Sequence, residues 1–126
     1  QNAGLMSSWW QDLLSPDDPL SKIDPRLEAG NAPIIDKTRY DAFLDTPLET
    51  LLRAQNVRQL ALCGVMTHLC CETTARSAFM RGFEVFFVVD GTATYTEAFH
   101  RATLLNLGHG FATLCLLEEL LAALEG

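Results

Sequence analysis

The run Glu84-Val85-Phe86-Phe87-Val88-Val89 constrains this chain more than any other stretch, because its apolar residues leave neither face of a strand to water. A strand buried on both faces belongs in a parallel sheet covered by helices. The surrounding sequence fits that layering. Alternation of short apolar runs with helical spacing predicts strands over residues 33–36, 59–63, 84–89 and 111–116. Helices are predicted over 48–54, 69–81, 96–107 and 117–124. Thr46 stands as N-cap with Pro47 at the first helical position, and Gly82 closes the second of these helices. Residues 1–32, rich in Pro, Gly and acidic pairs, read as loop apart from a short amphipathic helix within 5–14. The expected fold is a layered α/β one, with helices covering a parallel sheet. A chain of 126 residues supports one domain, spanning 1–126.

A second stretch carries chemistry. Gly64-Val65-Met66-Thr67-His68-Leu69-Cys70-Cys71-Glu72 follows the apolar run 59–63 and leads into the helical pattern of Thr73 to Phe79. That order gives a strand, a tight turn and a cysteine at a helix start. A thiol there faces backbone N–H groups without helical partners and the positive end of the helix dipole, both of which favour thiolate. Cys70 is therefore a candidate nucleophile. Cys71 points about 100° away around the helix and reads as a small buried hydrophobe. Cys63 and Cys115, inside predicted strands, read as core in the same way. No zinc-type or disulfide-scaffold spacing is present, so reduced thiols, no metal site and no cofactor are expected.

Charge narrows the partners. A formal net charge of −7 repels nucleic acid and anionic membrane surfaces, leaving a small molecule or a protein. No apolar run is long enough to span a bilayer, and the first residues lack the basic-then-apolar order of a signal peptide. A cytoplasmic protein is expected.

With Lys37-Thr38-Arg39-Tyr40 and Ala42-Phe43, then the Gly64 to Cys70 turn, Thr74-Ala75-Arg76, Gly82 and Asp90-Gly91-Thr92-Ala93, the chain resembles the isochorismatase-like hydrolase superfamily from about Pro33 onwards. The resemblance implies an α/β fold with a three-layer, doubly wound parallel sheet, and an Asp-Lys-Cys triad in which Cys70 takes the nucleophile's place and Lys37 the lysine's. It also implies a cis peptide between Val65 and Met66, with the N–H groups of Met66 and Cys70 forming an oxyanion hole; an ordinary trans turn is the alternative that sequence leaves open. The implied reaction is hydrolysis of a small molecule, with a C–N bond of the amide type as first expectation. Isochorismatases share the stretch around His68, Cys71 and Thr73-Thr74-Ala75, yet carry glycine where this chain has Cys70, so vinyl-ether cleavage releasing pyruvate is the alternative. A non-catalytic binding or assembly protein on the same fold is the third reading.

The family's general-base Asp ends an opening strand, and nothing before Pro33 resembles it; Asp12, Asp17, Asp18 and Asp24 stand in loop or helix contexts and are not assigned that role. The expectation is an N-terminal segment missing from this sequence or supplied by another chain. Trp9 and Trp10 are read as either a pocket wall or a subunit contact, and His68 as either a substrate contact or a turn residue bonded to local backbone. His100 and His109 read as solvated, and Glu72 with Arg76 as an exposed ion pair. Tandem tryptophans and Phe79, Phe83, Phe86, Phe87 and Phe99 are more apolar surface than a short domain hides, which predicts a homodimer or larger symmetric assembly.

Overall fold

A computed structural model describes residues 2–126. Its centre is a parallel three-stranded sheet in the order β1 (Gln59–Val65), β2 (Glu84–Ala93), β3 (Thr113–Cys115). Helices α1 (Met6–Trp9), α2 (Leu48–Ala54), α3 (Glu72–Met80), α4 (Glu97–Gly110) and α5 (Leu117–Glu125) surround it. Successive parallel strands joined by right-handed crossovers in one direction place their connecting helices on one face, and α3 and α4 accordingly pack on each other.

The core explains why β2 is central. Val85 and Phe87 project into a cluster with Ala75 and Ala78 of α3, Leu107 of α4, Phe43 and Phe83. Val88, on the opposite face of the strand, is also buried, so the prediction of a strand covered on both sides holds. α5 packs against β2. It is tied there by Asp90, whose Oδ1 accepts the Leu117 N–H at 2.8 Å, while Glu119 caps the start of α5 itself by accepting the Leu116 N–H at 2.7 Å.

Helix ends follow local chemistry. Gly82, at φ +82°, closes α3: its N–H donates to the Phe79 carbonyl at 2.9 Å and the Phe83 N–H to the Ala78 carbonyl at 3.0 Å, satisfying the last turn. Asn56, at φ +56°, ends α2 in the same way. Thr96 caps α4 by accepting the Phe99 N–H. At α2 the N-cap position is held by Pro47, one residue later than expected, while Thr46 Oγ1 still accepts the Leu48 N–H at 3.3 Å.

Several expectations are corrected. Residues 33–36 run without a ladder, because no strand lies beside them among the described residues, and an apolar run without a partner edge forms no sheet. The helix expected within 5–14 is one turn, Met6–Trp9, and the last strand is three residues rather than six. Cys63 is exposed, not core. It falls where the β1–β2 register shifts, on the face of β1 opposite to Leu60 and Leu62, the residues that pack on the core cluster. Cys115 is half-buried at the short edge strand. Phe83 and Phe87 are inside, so the exposed apolar surface comes instead from Phe79, Phe99, Trp9 and the leucines of β3 and α5.

Candidate active site

The turn after β1 is tighter than a plain strand-to-helix connection. The Val65–Met66 peptide bond is cis. Residues Thr67–Cys71 then form one wide π-type turn, in which the Met66 carbonyl accepts the N–H groups of both Leu69 (3.1 Å) and Cys71 (3.2 Å), before α3 begins at Glu72. Single π turns of this kind recur at functional sites because they re-aim the side chains they carry. Here Cys70 is left half-exposed, and Cys71 is turned inward and buried.

Burial, helped by the neighbouring Cys70 and Cys63 thiols and opposed by Lys37, pushes the Cys71 thiol up to about 11. It therefore remains a thiol at neutral pH. The sequence assignment of Cys71 to the interior holds: of the two adjacent cysteines, one is buried and the other half-exposed.

Lys37 reaches this turn from far along the chain. Its Nζ lies 3.1 Å from Cys70 Sγ, across 33 residues of sequence, and donates also to the Arg39 carbonyl at 2.9 Å. Nothing in residues 33–36 braces it through a ladder. The segment that follows does so instead, being fastened to α3: Thr74 Oγ1 accepts the Ala42 N–H at 3.0 Å and donates to the Tyr40 carbonyl at 3.3 Å, and Ser77 donates to Asp41 Oδ2 at 2.8 Å. Thr74 and Ser77 are three residues apart, one face of α3, so a single helical face positions the lysine against the cysteine in the turn that leads into the same helix. Sequence reading passed over this pair; polar residues at i and i+3 on an otherwise apolar face were the available signal.

The π turn is also tied to α4 by a polar pair. Thr67, fully buried, shares a hydrogen bond of 3.2 Å with His100 Nδ1. His100 is thus half-buried and joins α4 to the turn below Cys70, in place of the solvated position expected for it. His109 is exposed at the end of α4. Glu72 does pair with Arg76 at 2.9 Å, but it also accepts from buried Thr103 at 2.7 Å, and Arg76 lies over the Phe111 ring at 4.4 Å; the pair is part of the α3–α4 packing rather than a surface ornament.

A cavity of about 790 Å³ opens at Cys70, with Lys37, Arg39, Trp10, Asp12 and Tyr95 among its walls. A larger groove of about 1020 Å³ adjoins it, sharing Leu14, Ser15, Pro16 and Lys37, but does not reach Cys70. The chemistry therefore belongs to the smaller one. Trp10 lines it and donates from Nε1 to Tyr40 Oη at 2.6 Å. Trp9 is 79% exposed and lies outside it. His68 does not line the cavity either: its Nδ1 bonds Thr94 Oγ1 at 2.7 Å, so its partner is neither substrate space nor local backbone. Asp12, left without a role in the sequence, is the acidic residue of the wall, and no hydrogen bond joins it to Lys37 or Cys70 among the described residues. Among the described residues no three His, Cys, Asp or Glu side chains stand together as a metal site. No helix among the described residues is long and apolar enough to cross a membrane.

Comparison with known proteins completes the description. Residues 4–119 match the isochorismatase domain family. Nicotinamidase 3 of Arabidopsis thaliana is 40% identical over 127 residues, covering 98% of this chain and 64% of that protein. Enterobactin synthase component B of Escherichia coli (strain K12) is 32% identical over 124 residues, covering 98% and 44%. The crystal structure of a cysteine hydrolase from Pseudomonas syringae pv. phaseolicola 1448A superposes with a TM-score of 0.83 at 27% identity, over 89% of this chain and 58% of that one. The chain thus spans less than two thirds of the length of each.

Proposed function

The chain belongs to the isochorismatase family, and on that footing we propose that it is a cysteine hydrolase acting on a small molecule, cleaving a C–N bond of the amide type. The observation that carries this reading is the 3.1 Å approach of Lys37 Nζ to Cys70 Sγ at the mouth of a cavity. An ammonium at that distance stabilises a thiolate electrostatically, and the site is open enough for a substrate to reach it. The thiolate of Cys70 attacks the amide carbon, forming a C–S bond as the carbonyl electron pair moves to oxygen. The N–H groups of Met66 and Cys70 are the assigned donors to that oxygen. Collapse expels the nitrogen, which takes up the proton that the Cys70 thiol gave up on ionising and leaves as ammonia or an amine. Water then cleaves the thioester, returning the thiol and releasing the acid.

The similarity to a nicotinamidase favours the amide, and the similarity to an enterobactin synthase component keeps vinyl-ether cleavage as the second reading. The two reactions release different products. An assay following ammonia from primary amides and pyruvate from isochorismate is expected to give ammonia alone; pyruvate without ammonia would replace the first reading by the second.

We further read residues 1–126 as one domain, and as a subunit of a symmetric oligomer. Support for the oligomer comes from Leu105, Leu114, Leu117, Leu121 and Leu124, exposed together around β3, α4 and α5. Sedimentation as a monomer alone at micromolar concentration would refute it. Four free thiols suit the reducing cytoplasm.

A further inference from the structure

One wall of the Cys70 cavity is an aromatic ring held in place from behind. Tyr95 lines the cavity while 66% of its surface is exposed. Its ring meets His68 edge-on, with centroids 6.0 Å apart and planes at 69°. His68 in turn lies flat on Phe99, at 4.2 Å and 2°, and its Nδ1 shares a 2.7 Å hydrogen bond with Thr94. The imidazole is thereby fixed by two independent contacts, one from the segment joining β2 to α4 and one from α4 itself. Because His68 precedes Cys70 by two residues in one turn, this support sets the Tyr95 ring relative to the thiol.

We propose that Tyr95 is a specificity-determining residue, its ring the surface on which the planar ring of an aromatic amide packs beside Cys70, with His68 the positioning residue that holds it. The inference rests on the amide-hydrolase reading above. Aromatic rings gain from offset or edge-to-face contact beyond the area they bury, a gain that a saturated ring of equal size does not receive. An exposed ring on a loose loop would give little of it, since ordering the loop would offset the contact. Here the ring rests against His68, which Phe99 and Thr94 hold in turn.

Benzamide and cyclohexanecarboxamide isolate the effect, being primary amides that differ in having or lacking a π face. Their Kd values are measured by NMR titration of Cys70→Ala protein, which cannot turn them over. Tyr95→Ala is expected to weaken benzamide by roughly 3- to 10-fold, as for other aromatic pairs, and cyclohexanecarboxamide by less than about 2-fold. His68→Ala should reproduce the selective loss, His68→Phe should restore it by keeping a ring against Phe99 and Tyr95, and Tyr95→Phe should bind as the parent. In protein retaining Cys70, the same substitutions should raise KM for benzamide and leave kcat within about 2-fold. Tyr95 is exposed, so the variants are expected to match the parent by circular dichroism. Equal weakening of both amides, no weakening, or no binding of benzamide by the parent would overturn the inference. So would a fall in kcat with KM unchanged. If the protein hydrolyses no amide, the hydrolase reading fails and the binding measurements still decide Tyr95: selective loss supports it, equal loss removes it.

Discussion

Replacing Cys70 by Ala is expected to reduce amide hydrolysis by roughly 10³-fold or more, the scale on which nucleophile removal acts. Lys37→Met should cost about 10²- to 10³-fold, as for loss of a single electrostatic stabiliser. The two effects should not add, because Lys37 acts through the thiol it touches at 3.1 Å, and once Cys70 is gone the ammonium has nothing to stabilise. Cys71→Ala provides the contrast. That thiol is buried and held protonated, so its loss should disturb packing while leaving turnover within about 5-fold; it has no place in the bond-making sequence. A Cys71→Ala protein that folds but is as inactive as Cys70→Ala would reverse the assignment of the two neighbours.

The largest stability effect should come from the middle of the sheet. Phe87 has 0% exposure and packs among Ala75, Ala78, Val85 and Leu107 in the central strand. Phe87→Ala removes a full ring from a site closed on all sides, and changes of this kind cost about 3–5 kcal/mol. Against a whole-domain stability of roughly 5–15 kcal/mol this is a large fraction. Thermal unfolding should fall by about 10–20 °C. A shift of less than about 3 °C would mean that Phe87 is not the core residue described here. Phe79→Ala is the matched control, since that ring is 46% exposed and loses less on truncation.

What the sequence revealed and what it hid have physical causes. β2 and α3 were legible because their signals are local: a run apolar on both faces, a helical spacing, and a glycine at the only conformation that ends the helix there. Cys70 was legible as a candidate because a cysteine between strand and helix is a local pattern too. The pairing with Lys37 was not, since nothing in the intervening residues brings together two positions 33 apart; it rested on the resemblance. The strand expected over 33–36 failed because strand formation depends on a neighbour, and an apolar run does not say whether one is beside it. Cys63 failed for the same reason, its burial being decided by what covers β1 rather than by β1 itself.

Polar residues were misread most often. Thr67 with His100, Glu72 with Thr103, and Thr74 and Ser77 with residues 40–42 all bridge separate elements; His100 and Glu72 were read as exposed, and the partners of the others carry no signal in one dimension. Buried polar groups are satisfied by partners that only the tertiary structure identifies. In this molecule those partners tie the turn that carries Cys70 to α4, and the segment after Lys37 to α3.

Site-resolved alkylation tests the Lys37–Cys70 pair most directly. Brief iodoacetamide treatment at neutral pH, followed by peptide mapping, compares thiolate reactivity at all four cysteines in the parent and in Lys37→Met. Cys63 is exposed and serves as the internal standard, while Cys71 is shielded. Cys70 is expected to react fastest in the parent and to slow by about 10-fold or more in Lys37→Met, with the Cys63 rate unchanged. Equal rates at Cys70 in the two proteins, or faster labelling of Cys63 than of Cys70 in the parent, would contradict the assignment of Cys70 and Lys37 as the reactive centre.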